Sequence, residues 1–234
     1  MRFITSAYWD IGIRKVNEDS LVYEEFQCGH DRICFAAVAD GVGGLRAGEI
    51  ASGYAIESFT KCMHENVYYA VLKNRGIRKI KRIFLSQTHE IYEGLKKYAD
   101  IHQIKMGTTL SLILIYRNRY LIIQLGDSAI YRMRHGRAKR LSQLHNNING
   151  ALTKCISSMT FHVPYFRYGY VLPNTGFLIC SDGFFKKSPI DGCVFDPKEL
   201  NDESVVERRL RMVGKKNRTL GENDNMAAIY VAVK

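Results

Sequence analysis

The chain has 234 residues, of which 46% are hydrophobic and 24% charged, values that suit one soluble globular domain spanning 1–234. No apolar run is long enough to cross a membrane, and the first residues, MRFITSAYWDIGIRKVNED, turn charged too early for a signal peptide. The formal net charge of +11 suggests an anionic partner, with nucleic acid ranked low because no aromatic–basic interleaving accompanies it.

Taken in chain order, strand-like runs cover 20–26 (SLVYEEF), 32–40 (RICFAAVAD), 108–116, 119–128, 129–134, 176–182 and 227–233. Two helical patterns separate the second run from the third. One, roughly 46–65, spaces Ile50, Tyr54, Phe59 and Met63 as a core stripe; the other, roughly 76–98, does so with Ile77, Ile80, Phe84, Ile91, Leu95 and Tyr98. A third helix is expected over about 197–213, starting at Pro197. YRNRY and RHGR read as hairpin turns, which imply antiparallel pairing. Basic clusters stand at 73–82, 131–140 and 207–218, each by itself an ordinary solvated face. Six cysteines form no CxxC pair and several lie in apolar runs, as expected of reduced thiols in a cytoplasmic protein. Adjacent helices followed by a strand meander give an α+β class with antiparallel sheets flanked by helices.

The chemistry-bearing pattern is a set of acids at strand ends. Asp40, Asp127 and Asp182 each close an apolar run, whereas Glu18, Asp19 and Asp224 each precede one. Antiparallel neighbours bring the end of one strand beside the start of the next, so these six acids can share one edge. Crowded carboxylates repel unless cations neutralise them, and an all-oxygen set selects Mg²⁺ or Mn²⁺ over zinc. Gly41 and Gly183, each following an aspartate, permit a sharp turn and let a backbone carbonyl approach a metal. Competing motifs fail. GVGGLR places Arg46 where a dinucleotide fingerprint needs its third glycine, and no P-loop is present. GDSAI lacks the second glycine of a nucleophile elbow, which leaves Ser128 a structural residue. No histidine has zinc-ligand spacing; only His145 stands where a role is worth testing.

In order, GIRKVNEDS (12–20), VADGVGGLRAGEIAS (38–52), MGTTLSLILI (106–115), LGDSAIYRMRHGRAKRLS (125–142), LTKCIS (152–157), PNTGFLICSDGFF (173–185) and ENDNMAAIYVAV (222–233) resemble the metal-dependent type 2C Ser/Thr protein phosphatases, above all compact bacterial ones. The resemblance implies a four-layer αββα sandwich of two antiparallel sheets flanked by helix pairs. It implies two Mn²⁺ or Mg²⁺ ions bridged by Asp40, with the Gly41 carbonyl on one and Asp182 and Asp224 completing the other. Asp19 would hold water bound to a metal, Asp127 would join Asp182 at a third and weaker ion, and Arg14 would grip the substrate phosphate. It implies phosphorylated protein substrates and a Ser/Thr kinase acting in opposition; a non-catalytic regulatory module on the same fold is the alternative. The chain departs from the family pattern at Val42, where many members carry histidine, and at Ala129, where arginine is usual. Between His145 and LTKC the chain is short, which points to a short, open flap beside the site.

Overall fold

The computed structural model describes residues 1–234, and three separate apolar clusters within it mark out four layers. In chain order the first half holds β1 (Phe3–Asp10), β2 (Asp19–Cys28), β3 (Asp31–Asp40), α1 (Gly48–Cys62), a π-helical turn (Met63–Val67), α2 (Tyr68–Leu72) and α3 (Ile77–His102). Then come β4 (Gly107–Thr108), β5 (Leu110–Tyr116), β6 (Arg119–Leu125), β7 (Ala129–Arg134), β8 (Arg137–Arg140), β9 (Ile156–Ser157) and β10 (Tyr165–Tyr170). The chain closes with β11 (Thr175–Cys180), α4 (Asp182–Phe185), α5 (Glu203–Thr219) and β12 (Met226–Val233).

Two five-stranded antiparallel sheets, ordered β1-β12-β11-β7-β8 and β10-β6-β5-β3-β2, stack face to face. The expected αββα sandwich is the observed one. One cluster, including Phe177, Ile179, Ile229 and Ile122, fills the space between the sheets. A second lies under α1 and α3, a third under α4 and α5. Strand β3 shows why the central strands read as unbroken apolar runs. Cys34, Ala36 and Val38 face the other sheet while Phe35, Ala37 and Ala39 face the helices, so neither face meets water.

Both hairpins are two-residue turns with positive φ, 47° and 55° at Arg117 and Asn118, 51° and 65° at His135 and Gly136. That turn type matches the right-handed twist of the strands it joins. Three expectations need correction. The stripe on α1 is not Ile50 and Tyr54, which are exposed; Ala51, Ala55, Ile56 and Phe59 are the buried set, because small residues let the helix lie close on the sheet. The helical path also continues past 65, through the π turn to Leu72. Helix α5 starts at Glu203, not Pro197, because the Asp202 carboxylate caps it by accepting the Ser204 N–H at 2.8 Å.

Candidate active site

The strand ends that carry Asp19, Asp40, Asp127, Asp182 and Asp224 lie at one end of the sandwich. Asp19 begins β2 directly opposite Asp40, the last residue of β3. Asp40 N–H donates to Thr109 Oγ1 (3.0 Å) just before β5, and its carbonyl accepts from Thr109 N–H (2.8 Å). Thr109 Oγ1 in turn lies 2.6 Å from Ser128 Oγ, beside Asp127. In the other sheet, Asp182 follows β11 and Asp224 precedes β12, and these two strands are neighbours. One cavity of about 200 Å³ is therefore lined by Arg14, Glu18, Asp40, Gly41, Asp127, Asp182 and Asp224, among others. Asp19 lies just outside it, 2% exposed, accepting a 2.7 Å hydrogen bond from Ser181 Oγ.

Close backbone packing explains the two glycines. A Cβ on Gly41 would stand 2.6 Å from the Gly48 carbonyl carbon, so only glycine lets α1 begin this near the Asp40 turn. A Cβ on Gly183 would collide with the Asn225 carbonyl oxygen. Asn225 is the pin of the site, buried and fully used. Its Oδ1 accepts from Glu18 N–H (2.9 Å), and its Nδ2 donates to the carbonyls of Ile11 (2.8 Å) and Val16 (3.3 Å). It thereby fixes the 11–18 loop that presents Arg14.

The electrostatics follow from the crowding. Burial, then the charges of Asp19, Asp182, Asp127 and Asp224, holds the Asp40 carboxyl well above the usual carboxylate range. Burial first, then Asp182, Asp224 and Glu18, pushes Asp19 up to about 7. Asp182, Asp127 and Glu18 are raised as well, each chiefly by burial. Two side-chain cations answer this charge. Arg14 Nη2 meets Asp224 Oδ2 at 3.1 Å, and Lys186 Nζ meets Asp182 Oδ2 at 3.2 Å. As the side chains lie, no three acids converge on a single point. The donor chemistry nonetheless fits a hard divalent cation: carboxylate oxygens plus the Gly41 carbonyl, to which no hydrogen bond is made, with no histidine or cysteine among the lining residues. What holds the acids apart is mutual repulsion together with the two ion pairs, and a divalent ion removes the first and competes with the second.

Of the residues singled out from the sequence, Arg14, Asp40, Gly41, Asp127, Asp182 and Asp224 meet in the cavity, with Asp19 behind it. Sequence reasoning passed over Asn225 and Lys186. Asn225 was visible only as part of NDN, and Lys186 only as a cation four residues beyond Asp182, one helical turn on. His145 is a structural residue. Its Nδ1 accepts the Gly126 N–H (3.1 Å), its backbone N–H returns a bond to the Gly126 carbonyl (3.0 Å), and burial lowers its pKa. Ser128, fully buried on Thr109, is likewise structural.

Comparison with known proteins places the chain in a family. A family model described as protein phosphatase 2C matches residues 13–228. The serine/threonine phosphatase stp of Listeria welshimeri is 29% identical over 143 residues, covering 60% of this chain and 53% of that protein. The chain thus spans about half the length of the curated relatives it matches. Among solved structures, the catalytic domain of the serine/threonine protein phosphatase PstP, in complex with two manganese ions, aligns with a TM-score of 0.79, 20% identity and 99% of both chains. PppA of Pseudomonas aeruginosa aligns with a TM-score of 0.78 and 23% identity over 100% of this chain and 99% of that one. These structural likenesses speak to the fold.

Proposed function

The chain belongs to the protein phosphatase 2C family, and on that premise we propose that it is a metal-dependent phosphatase hydrolysing phosphoserine and phosphothreonine in proteins. The observation that carries this reading is the meeting of five carboxylates and one arginine in a single cavity at the end of the sandwich. Asp40, Asp182, Asp224 and the Gly41 carbonyl are the groups that would hold two Mn²⁺ or Mg²⁺ ions, with Asp127 and Asp182 available to a third. Such ions supply positive charge that makes water a stronger acid and stabilises charge on the phosphoryl oxygens.

The chain's own residues do the rest. Arg14 is 51% exposed at the cavity mouth, and its planar guanidinium can donate to two phosphate oxygens once it leaves Asp224. Asn225 keeps the Arg14 loop in place. Asp19 Oδ2 is taken by Ser181, which leaves Oδ1 free to accept a hydrogen bond from water. No cysteine or serine nucleophile is needed, and none lines the cavity. Val42 offers no proton, so the leaving oxygen draws its proton from water. No helix of the protein is long and apolar enough to cross a membrane, and the six cysteines are free; our reading is one domain over 1–234, a cytoplasmic enzyme working against a Ser/Thr kinase.

The test is Mn²⁺-dependent hydrolysis of an aryl phosphate and of phosphoserine and phosphothreonine peptides. Asp182→Asn is expected to abolish turnover, and Arg14→Ala to raise KM more than it lowers kcat. Equal residual rates in all three proteins would overturn the enzyme reading in favour of a non-catalytic module on the same fold.

A further inference from the structure

The stretch between Asp127 and Asp182 holds seven lysines and arginines and no aspartate or glutamate. Four of these cations meet on one face of the β7–β8 ribbon. In antiparallel strands, directly opposed residues share a face, as do residues two apart. The register sets Arg132 opposite Lys139 and Arg134 opposite Arg137. Ile130, two residues before Arg132, enters the core between the sheets, whereas Met133 and Ala138 pack into the core under α5. The four cations therefore continue the inter-sheet face beyond its last apolar residue. Arg167 approaches from the facing sheet: its neighbour Phe166 turns toward the core under α3, and its own Nη1 donates to the Leu141 carbonyl at 3.3 Å, just past β8.

None of these five cations forms an ion pair, and the Nε of Arg134 is buried without a hydrogen-bond partner. The basic cluster on α5 differs, because Arg209, Arg211 and Arg218 each meet an acid. Like charges directly opposite one another weaken a sheet. Their Cβ atoms stand about 5 Å apart across the ribbon, within the Debye length of roughly 8 Å at physiological salt, so salt reduces the repulsion without removing it. The arrangement strains the ribbon and leaves a concentrated positive face.

We propose that this face docks an acidic segment of the protein substrate, outside the catalytic cavity. An extended peptide places alternate side chains roughly 7 Å apart, the spacing of Arg132 and Arg134 along β7. Single-stranded nucleic acid fits less well, because the exposed Tyr168 and Tyr170 of β10 lie on the face opposite Arg167 and offer no stacking platform beside the cations. Arg132 stands five positions beyond Asp127, no more than about 17 Å along a strand. An extended peptide covers that distance in about five residues, so acidic residues about five positions from the phosphorylated residue come within reach of the ribbon. The word substrate rests on the phosphatase reading; the docking does not.

The experiment uses Arg137→Glu/Lys139→Glu, two exposed positions, in the full chain. The double reversal turns both like-charge pairs into opposite-charge pairs, so the variant is expected to fold and to melt at a higher temperature than the wild type. Two phosphopeptides are compared, one with a five-glutamate tract beginning five residues from the phosphoserine, one with glycine and serine there. The wild type is expected to show a KM at least about tenfold lower for the acidic peptide, and the variant to lose that preference with aryl phosphate turnover unchanged. A fluorescent, unphosphorylated deca-glutamate peptide and a thymidine decanucleotide are titrated in parallel, and the peptide is expected to bind the wild type more tightly. No preference in the wild type, a preference that survives the reversal, or tighter binding of the oligonucleotide would each overturn the proposal; the first two would make the cations plain edge guards against strand pairing. Should the wild type hydrolyse no phosphate ester at all, the phosphatase reading fails by itself, and the peptide titration still decides the docking.

Discussion

The core between the sheets and the cavity at its end are made by the same strands, and they obey opposite rules. Along β3, seven consecutive residues from Ile33 to Ala39 are fully buried and apolar, and the next is Asp40, facing four other acids. In the core every neighbour is compatible with every other. In the cavity the neighbours raise one another's affinity for protons and are relieved by only two cations, Arg14 and Lys186. The difference teaches that stability and chemistry occupy separate stretches of one strand. The core holds the acids in a place they would leave if the chain were free to move.

That contrast can be broken from either side. The largest effect is expected at Asp40: Asp40→Asn should lower Mn²⁺-dependent hydrolysis on the order of 10³-fold or more. The same change should raise the melting temperature of the metal-free protein, since a neutral amide removes the cost of burying a carboxyl among other acids; a phosphatase assay reads the first half, and differential scanning calorimetry of the chelator-treated protein the second. A fall in metal-free stability would mean that the cavity is not electrostatically strained. Phe177, fully buried between the sheets, should behave in the opposite way. Phe177→Ala is expected to cost about 3–5 kcal/mol in urea unfolding, with Mn²⁺ affinity of the folded protein unchanged.

Next in size is a pH effect. A carboxyl whose folded pKa lies above its unfolded value stabilises the fold most below the unfolded pKa, and that contribution is lost as pH rises through the folded value. Asp19, raised to about 7, and Asp40, raised further, place this loss in a window opening near pH 4 and running to about 7 and above. Metal-free protein should therefore lose on the order of a few kcal/mol across that window, and Asp19→Asn should flatten the profile. Rising stability over the same range would show that the acids are not crowded in solution. The smallest effect is expected at Lys186, whose exposed ammonium leans on Asp182. Lys186→Ala should tighten Mn²⁺ binding a few-fold by calorimetry, because the ion no longer competes with a resident cation.

Much of this was legible in the sequence, for physical reasons. A strand buried on both faces writes itself as an unbroken apolar run, and an acid that ends such a run stands out, as Asp40, Asp127 and Asp182 do. The antiparallel hairpins announced themselves through their turns. Two of the edge strands did not. FITSAYWD in β1 and YFRYGY in β10 are half exposed and mix small, polar and aromatic residues, so neither shows a clean period of two. The start of α5 was misplaced because Pro197 looked like a first helical residue, whereas the cap at Asp202 decides. Ile50 and Tyr54 share a helical stripe yet face solvent, since periodicity alone does not say which stripe meets the sheet. At the site, residue types were readable but their pairing was not. That Arg14 leans on Asp224 and Lys186 on Asp182, or that Arg132 and Arg134 stand opposite Lys139 and Arg137, follows from register and side-chain reach, which no local pattern encodes.

The central claim is that the acids brought together by the strand ends hold a pair of divalent ions. It is tested most directly by an anomalous difference map from crystals grown in Mn²⁺. Two peaks are predicted in the cavity, within coordination distance of Asp40, Asp182, Asp224 and the Gly41 carbonyl oxygen, and their loss is predicted in Asp40→Asn. Peaks elsewhere, or none at saturating Mn²⁺, would contradict the account.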